Sequence, residues 1–233
     1  ITQQPGALPG LYAIRTDSAG ERSFHYWRSQ APARQLFSDA GAVALQAALA
    51  DFDLVYVSGI TLAILSAAGR SNLFETLAQI RLRGGTIAFD SNYRPRLWPD
   101  ESVARREITR GAAAATLILS SFDDEHLLFG DASPAASAER LHALGVAEVV
   151  IKNGAGDCLV SLDGEMGNKQ RLVTPPEVSR PVDTTAAGDS FNAAYIAARI
   201  QGAEAGQAAR QGADLASEVI QHQGAIIAPS SDQ

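Results

Sequence analysis

Four short runs limit what this chain can fold into: Asp53-Leu-Val-Tyr-Val-Ser58, Thr86-Ile-Ala-Phe-Asp90, Thr116-Leu-Ile-Leu-Ser120 and Glu148-Val-Val-Ile-Lys152. Each is strand-sized and almost wholly apolar, the pattern of a strand buried on both faces of a parallel sheet. Helical stretches fall between them. Ser38 and Asp39 are suitable caps for a helix over 40–50, and 72–83 stops at Gly84-Gly85. Further helices are expected over 101–115, 123–129 and 134–144. This alternation predicts an α/β fold, a doubly wound, mostly parallel sheet with helices on both faces. Asn153-Gly154 and Asp163-Gly164 flank Cys158–Leu162, so the sheet is expected to finish with antiparallel strands. Two helices, 190–201 and 203–221, close the chain.

The front of the chain reads differently. Leu11–Thr16 alternates apolar and polar residues, Arg22–Arg28 is rich in aromatics, and Asp17–Glu21 has turn composition. Residues 11–29 are therefore predicted to form a β-hairpin flap or lid, with 1–10 and 30–233 making the α/β core. The net charge is −7 and the pI about 5.1, which gives a nucleic-acid partner no global attraction. The single cysteine, Cys158, excludes an intrachain disulfide and points to a reducing cytoplasm. No apolar run is long enough for a membrane span.

In a parallel sheet, ligands gather beyond the carboxyl ends of the strands. Here those ends are polar or glycine-rich: Ser58-Gly59, Asp90–Arg94, Ser120–Glu125 and Lys152–Asp157. A fifth stretch, Asp183-Thr-Thr-Ala-Ala-Gly-Asp189-Ser-Phe-Asn192, runs into an apolar helix. Small side chains at a helix start let an anion approach unpaired backbone amides at the positive end of the dipole. An acid beside a bound phosphate can carry a metal or take a proton from an attacking hydroxyl. An Asp at a helix start is also an ordinary cap; the four other polar strand ends favour the ligand-facing reading.

The 183–192 stretch resembles the second signature of the ribokinase/PfkB-like carbohydrate kinases, with Ala186 where the family usually has Gly. That departure is similar to a subgroup, the 2-keto-3-deoxygluconate kinases. Gly10–Tyr12, Phe24–Arg28, Asp90–Trp98 and Gln221–Ile227 resemble the same subgroup, so the likeness runs along essentially the whole chain. It implies ATP-dependent transfer of a phosphoryl group to a sugar hydroxyl, with Mg2+ as cofactor. It also implies Asp189 as general base, Ala186, Ala187 and Gly188 as the anion hole, and Tyr12, Tyr26, Trp27, Arg28, Arg94 and Asp189 at the sugar acid. Guanidinium groups suit a substrate carboxylate because they bind it as a two-pronged fork. The nucleotide would meet Asn92, Arg94, Ser121, Lys152, Asn153, Gly154, Ala155, Gly156, Asp157 and Gly188. The family's magnesium-organising Asn-x-x-Glu is replaced by Ser121-Phe-Asp-Asp124 followed by Glu125, so Asp124 or Glu125 would act on the metal through water.

The resemblance further allows a homo-oligomer formed through the lid. The chain does not begin with Met and has no counterpart to the family's first strand and Gly-rich front segment. It is therefore expected to be shortened there, with an apolar sheet edge exposed. Other sugar kinases of the family (fructokinase- or ribokinase-like) and a non-catalytic sugar- or nucleotide-binding protein are the competing expectations. A dinucleotide-binding dehydrogenase is disfavoured, because no Gly-x-Gly-x-x-Gly follows an early strand.

Overall fold

The computed structural model describes residues 4–16, 22–164 and 169–227. Strands β1 (Leu11–Thr16) and β2 (Arg22–Trp27) pair antiparallel as a separate two-stranded sheet. The turn expected over 17–21 lies outside the described residues. The main sheet has six strands in chain order: β3 (Leu54–Ser58), β4 (Thr86–Asp90), β5 (Leu117–Ser121), β6 (Glu148–Lys152), β7 (Cys158–Leu162) and β8 (Lys169–Val173). Strands β3 to β6 are parallel, and β6–β7 and β7–β8 are antiparallel. β3 is an edge strand among the described residues, and half-exposed Tyr56 lies on it.

Alternation along each strand feeds two separate cores. Ile87, Phe89, Ile118, Val149 and Ile151 point to one face. They meet residues from α2 (Gly59–Ile64), α3 (Ala67–Leu82), α4 (Glu101–Ala114), α5 (Phe122–Phe129) and α6 (Pro134–His142). Ala88, Leu117, Leu119, Val150 and Val160 point to the other face. There they meet α7 (Ala187–Ile200) and α8 (Ala205–Val219). Leucine or isoleucine side chains as fully buried as Leu62 or Ile87 each contribute about 1.5–3 kcal/mol of apolar burial. Buried Ala205, Ala208, Ala209 and Ala213 let α8 pack closely on Phe191 and Tyr195 of α7. That packing fixes the helix whose first turn carries Asp189.

α1 (Asp39–Leu49) and α3 lie against each other near the β3 edge. At the carboxyl end of β3 the chain comes unusually close to its neighbour. A Cβ on Gly59 would stand 1.9 Å from the carbonyl oxygen of Ser91, so only glycine fits there without moving the β4 exit loop. The short helix α2, which caps on Ser58, was not anticipated from sequence, whereas the antiparallel finish expected at Asp163-Gly164 is made by β7 and the edge strand β8.

Candidate active site

The carboxyl ends of β4, β5 and β6 and the first turn of α7 surround a cleft of about 540 Å³. Asn92, Arg94, Ser121, Asp124, Lys152, Asn153, Gly154, Ala155 and Gly156 line it, together with Ala186, Ala187, Gly188 and Asp189. These positions were singled out from four separate stretches of sequence, and the fold brings them to one place; the remaining stretch, Ser58-Gly59, does not line the cleft. The opposite wall is apolar, with Pro175, Pro176, Val178, Ala213, Ala216 and Ile220. Nothing in the sequence marked that wall, because proline and alanine there carry no chemical signature of their own.

Asp189 is the third residue of α7, and its carboxylate is exposed at the cleft. Among the described residues no donor is held against it. The turn before it is strained: Ala186, the N-cap, has φ 63° and ψ 12°, a left-handed conformation that glycine adopts more easily. Backbone strain of this kind is typically kept where a loop shapes a site. Asp183 supports the loop, accepting from the amide of Thr185 at 2.9 Å and that of Gly224 at 3.1 Å. The closing segment 221–227 is thereby tied to the loop.

Beneath the loop, Lys152 meets three side chains to which sequence reasoning gave no role: Asp90, Asn192 and, through Asn192, Tyr56. The Lys152 ammonium donates to Asp90 Oδ2 at 3.0 Å and to Asn192 Oδ1 at 2.8 Å. Asn192 Nδ2 donates to Asp90 Oδ2 at 2.7 Å and to the Tyr56 hydroxyl at 3.2 Å. Burial, followed by the charge of Asp90, raises the Tyr56 phenol well above its ordinary range, so it stays protonated. The one available signal was positional: Asp90 ends a strand, and Asn192 lies three residues after Asp189 on the same helix.

Arg94 Nη1 donates to the carbonyl of Tyr93 at 2.8 Å and to Asp124 Oδ1 at 3.3 Å. Burial raises the Asp124 carboxyl above the usual range, against the lowering effect of Arg94. Asn92 has φ 33°, and its backbone amide donates to Asp90 Oδ1 at 3.0 Å. Its side-chain oxygen is buried without a hydrogen-bond partner. The Ser121 hydroxyl caps α5 by accepting from the amide of Asp124 at 3.3 Å.

Two expectations, for Glu125 and Asp157, need correction. Glu125 does not join the cleft: it is 1% exposed and pairs with Arg140 at 2.6 Å, which also holds Asp131. A helix turns about 100° per residue, so its neighbour Asp124 faces the cleft while Glu125 faces the core. Asp157 is not among the cleft residues, because its carboxylate accepts from the Thr174 hydroxyl at 2.6 Å. Tyr12, Tyr26, Trp27 and Arg28 do gather on the hairpin, but none lines the cleft. Tyr12 sits opposite Tyr26, and the Arg28 guanidinium stacks 4.1 Å above the Tyr26 ring. Trp27 lies on the other face, stacked with His25.

Among the described residues no three His, Cys, Asp or Glu side chains gather closely enough to hold a metal by themselves. Asp124, which lines the cleft, nevertheless fits a magnesium ion that arrives with phosphate and keeps its waters. Among the described residues no helix is long and apolar enough to cross a membrane.

A six-stranded α/β sheet with an acid at a helix-start anion hole defines a class of phosphate-handling enzymes. The chain belongs to the pfkB family of carbohydrate kinases, whose family pattern matches residues 1–232. It is 45% identical over 231 residues to the 2-dehydro-3-deoxygluconokinase of Dickeya dadantii (strain 3937), covering 97% of this chain and 73% of that protein. Identity is also 45% over 224 residues to the enzyme of the same name from Escherichia coli K12, covering 94% and 71%. The crystal structure of a PfkB protein from Polaromonas sp. JS666 superposes with a TM-score of 0.78 at 25% identity, covering 92% of this chain and 68% of that one.

Proposed function

We propose that this protein transfers the γ-phosphate of ATP to 2-keto-3-deoxygluconate (2-dehydro-3-deoxygluconate), giving the 6-phosphate. The observation that carries the reading is Asp189, open to the cleft in the first turn of α7, directly after the small residues Ala186, Ala187 and Gly188. The names and 45% identity of the relatives support the sugar acid as acceptor. The apolar wall of Pro175, Val178, Ala213 and Ile220 suits the flat face of a purine. The amides of Ala186 to Gly188 then receive the transferred phosphoryl group.

Asp189 takes the proton from the sugar's 6-hydroxyl as that oxygen bonds to the γ-phosphorus. The bond from phosphorus to the bridging oxygen breaks, and ADP leaves with the electron pair. Little covalent work is left to the protein, so alignment and charge placement dominate. Magnesium, when bound with the nucleotide, supplies positive charge to the phosphate oxygens. Asp124 would hold its waters, and Arg94 is placed for either a phosphate or the substrate carboxylate.

The hairpin 11–29 acts as a lid over the sugar acid. Arg28 meets the carboxylate, and Tyr12, Tyr26 and Trp27 contact the sugar. Both faces of the hairpin expose large apolar side chains, including Leu11 and Trp27 at 60% and 62%, which supports pairing of copies through the lid. The protein works in the cytoplasm as an enzyme of small molecules.

The test is a coupled assay with ATP, magnesium and a panel of sugars and sugar acids. The sugar acid should be the preferred acceptor. Asp189→Asn should keep ATP binding and lose about 10²–10⁴-fold in turnover. Equal turnover of neutral hexoses would overturn the sugar-acid assignment, and unimpaired turnover in Asp189→Asn would remove it as the base.

A further inference from the structure

Lys152, Asp90 and Asn192 form a closed ring in which each side chain is bonded to both others, at 3.0, 2.8 and 2.7 Å. Asp90 and Asn192 are 4% and 3% exposed. The ring fixes the orientation of the Asn192 amide, because its oxygen must face the ammonium. Its nitrogen then serves both the carboxylate and the Tyr56 hydroxyl.

The ring joins three of the segments that line the cleft. Asp90 Oδ1 holds the backbone amide of Asn92, Lys152 opens the segment 152–157, and Asn192 lies one helical turn beyond Asp189. A Cβ on Gly188 would stand 3.5 Å from Lys152 Nζ, so the ammonium lies against the anion hole. Apolar side chains could join these elements with less desolvation penalty. A buried, charge-balanced ring is explained by what its ammonium does: fixed charge placed before the reaction needs no reorganisation as phosphoryl charge moves.

We propose that Asn192 is a positioning residue that, with Asp90, holds the Lys152 ammonium under the Gly188 turn to support the phosphoryl group in flight. This rests on the phosphoryl-transfer reading of the cleft, though not on which sugar is the acceptor. Asn192 therefore serves the transition state more than the bound nucleotide.

Asn192→Asp, Asp90→Asn and the double exchange test this directly. The exchange keeps one amide, one carboxylate and one ammonium, so the ring can close again. Asn192→Ser, too short to span the ring, is a second variant should the isosteric ones fold poorly. Two quantities are measured: kcat against KM for ATP, and the tightening of ADP–magnesium binding on adding aluminium fluoride, by calorimetry. Each single variant should keep ADP affinity within about threefold, yet lose at least about tenfold of the tightening and about thirtyfold in kcat. The double exchange should recover most of both losses. Single variants that keep the tightening overturn the proposal, as does an exchange that restores the melting temperature without the tightening. A wild-type protein without tightening overturns it too. If the wild type tightens but phosphorylates no sugar on the panel, the acceptor assignment fails and the positioning role is judged on binding alone.

Discussion

The hairpin and the floor of the cleft both carry charged side chains, and they are built in opposite ways. On the hairpin, Arg28 rests on the Tyr26 ring, and Tyr12 and Tyr26 are about half exposed. A two-stranded ribbon has no core of its own, so its ligand-binding groups are ordered by one another and by whatever covers them. Under the cleft, Lys152 and Asp90 are buried within a sheet and cross-braced by α7. Side chains on an exposed ribbon can change with small effect on folding, whereas removing one charge at the floor leaves its partner buried and costs stability.

Lys152→Met is the most severe way to sharpen that contrast. It leaves Asp90 buried and unpaired, so unfolding free energy by urea denaturation should fall by about 3 kcal/mol or more. Arg28→Ala should leave stability within about 0.5 kcal/mol. It should raise KM for the sugar acid about 10- to 100-fold, the loss of a charged hydrogen-bond pair, with little change for neutral sugars. A Lys152 variant as stable as the wild type would erase the distinction, as would an Arg28 variant that unfolds.

A smaller effect is expected at Asp124, whose carboxyl is raised by burial. Its folded form holds a proton more tightly than the unfolded chain does. The favourable contribution is therefore present below the ordinary carboxylate range and lost as pH rises through the raised value. Asp124→Asn should flatten that part of the stability–pH curve and leave the protein slightly more stable at neutral pH, by less than about 1 kcal/mol. Ala186→Gly should change least. Relief of the left-handed strain, about 1 kcal/mol, is largely offset by the greater freedom of glycine in the unfolded chain, so denaturation midpoints should nearly coincide.

The parts of the fold that the sequence made legible were those with one unambiguous period. Glu148–Lys152 and Cys158–Leu162 are found where apolar runs bounded by turn residues put them. Helix α2 escaped because Gly59-Ile-Thr-Leu-Ala-Ile64 is apolar nearly all round and has no face to detect. The bounds of strand β8 could not be read, because an exposed edge strand, Lys169-Gln-Arg-Leu-Val173, carries little burial signal. In the cleft, glycine-rich loops and the Asp189 turn could be read from spacing. Asp123, Asp124 and Glu125 could not be told apart, since only helix phase and the distant Arg140 decide which carboxylate turns inward. Nothing in their own elements sets Asp90 and Asn192 apart, and their purpose emerges only when three elements converge.

Gly59 has a consequence for how this chain tolerates change. Most buried positions respond to substitution by degrees, following the volume added or removed. At Gly59 the first carbon of any side chain already meets the Ser91 carbonyl. Alanine should therefore do nearly as much harm as tryptophan. In a library of all twenty residues this position should appear as a single step, glycine against everything else, with no gradient of size or polarity behind it.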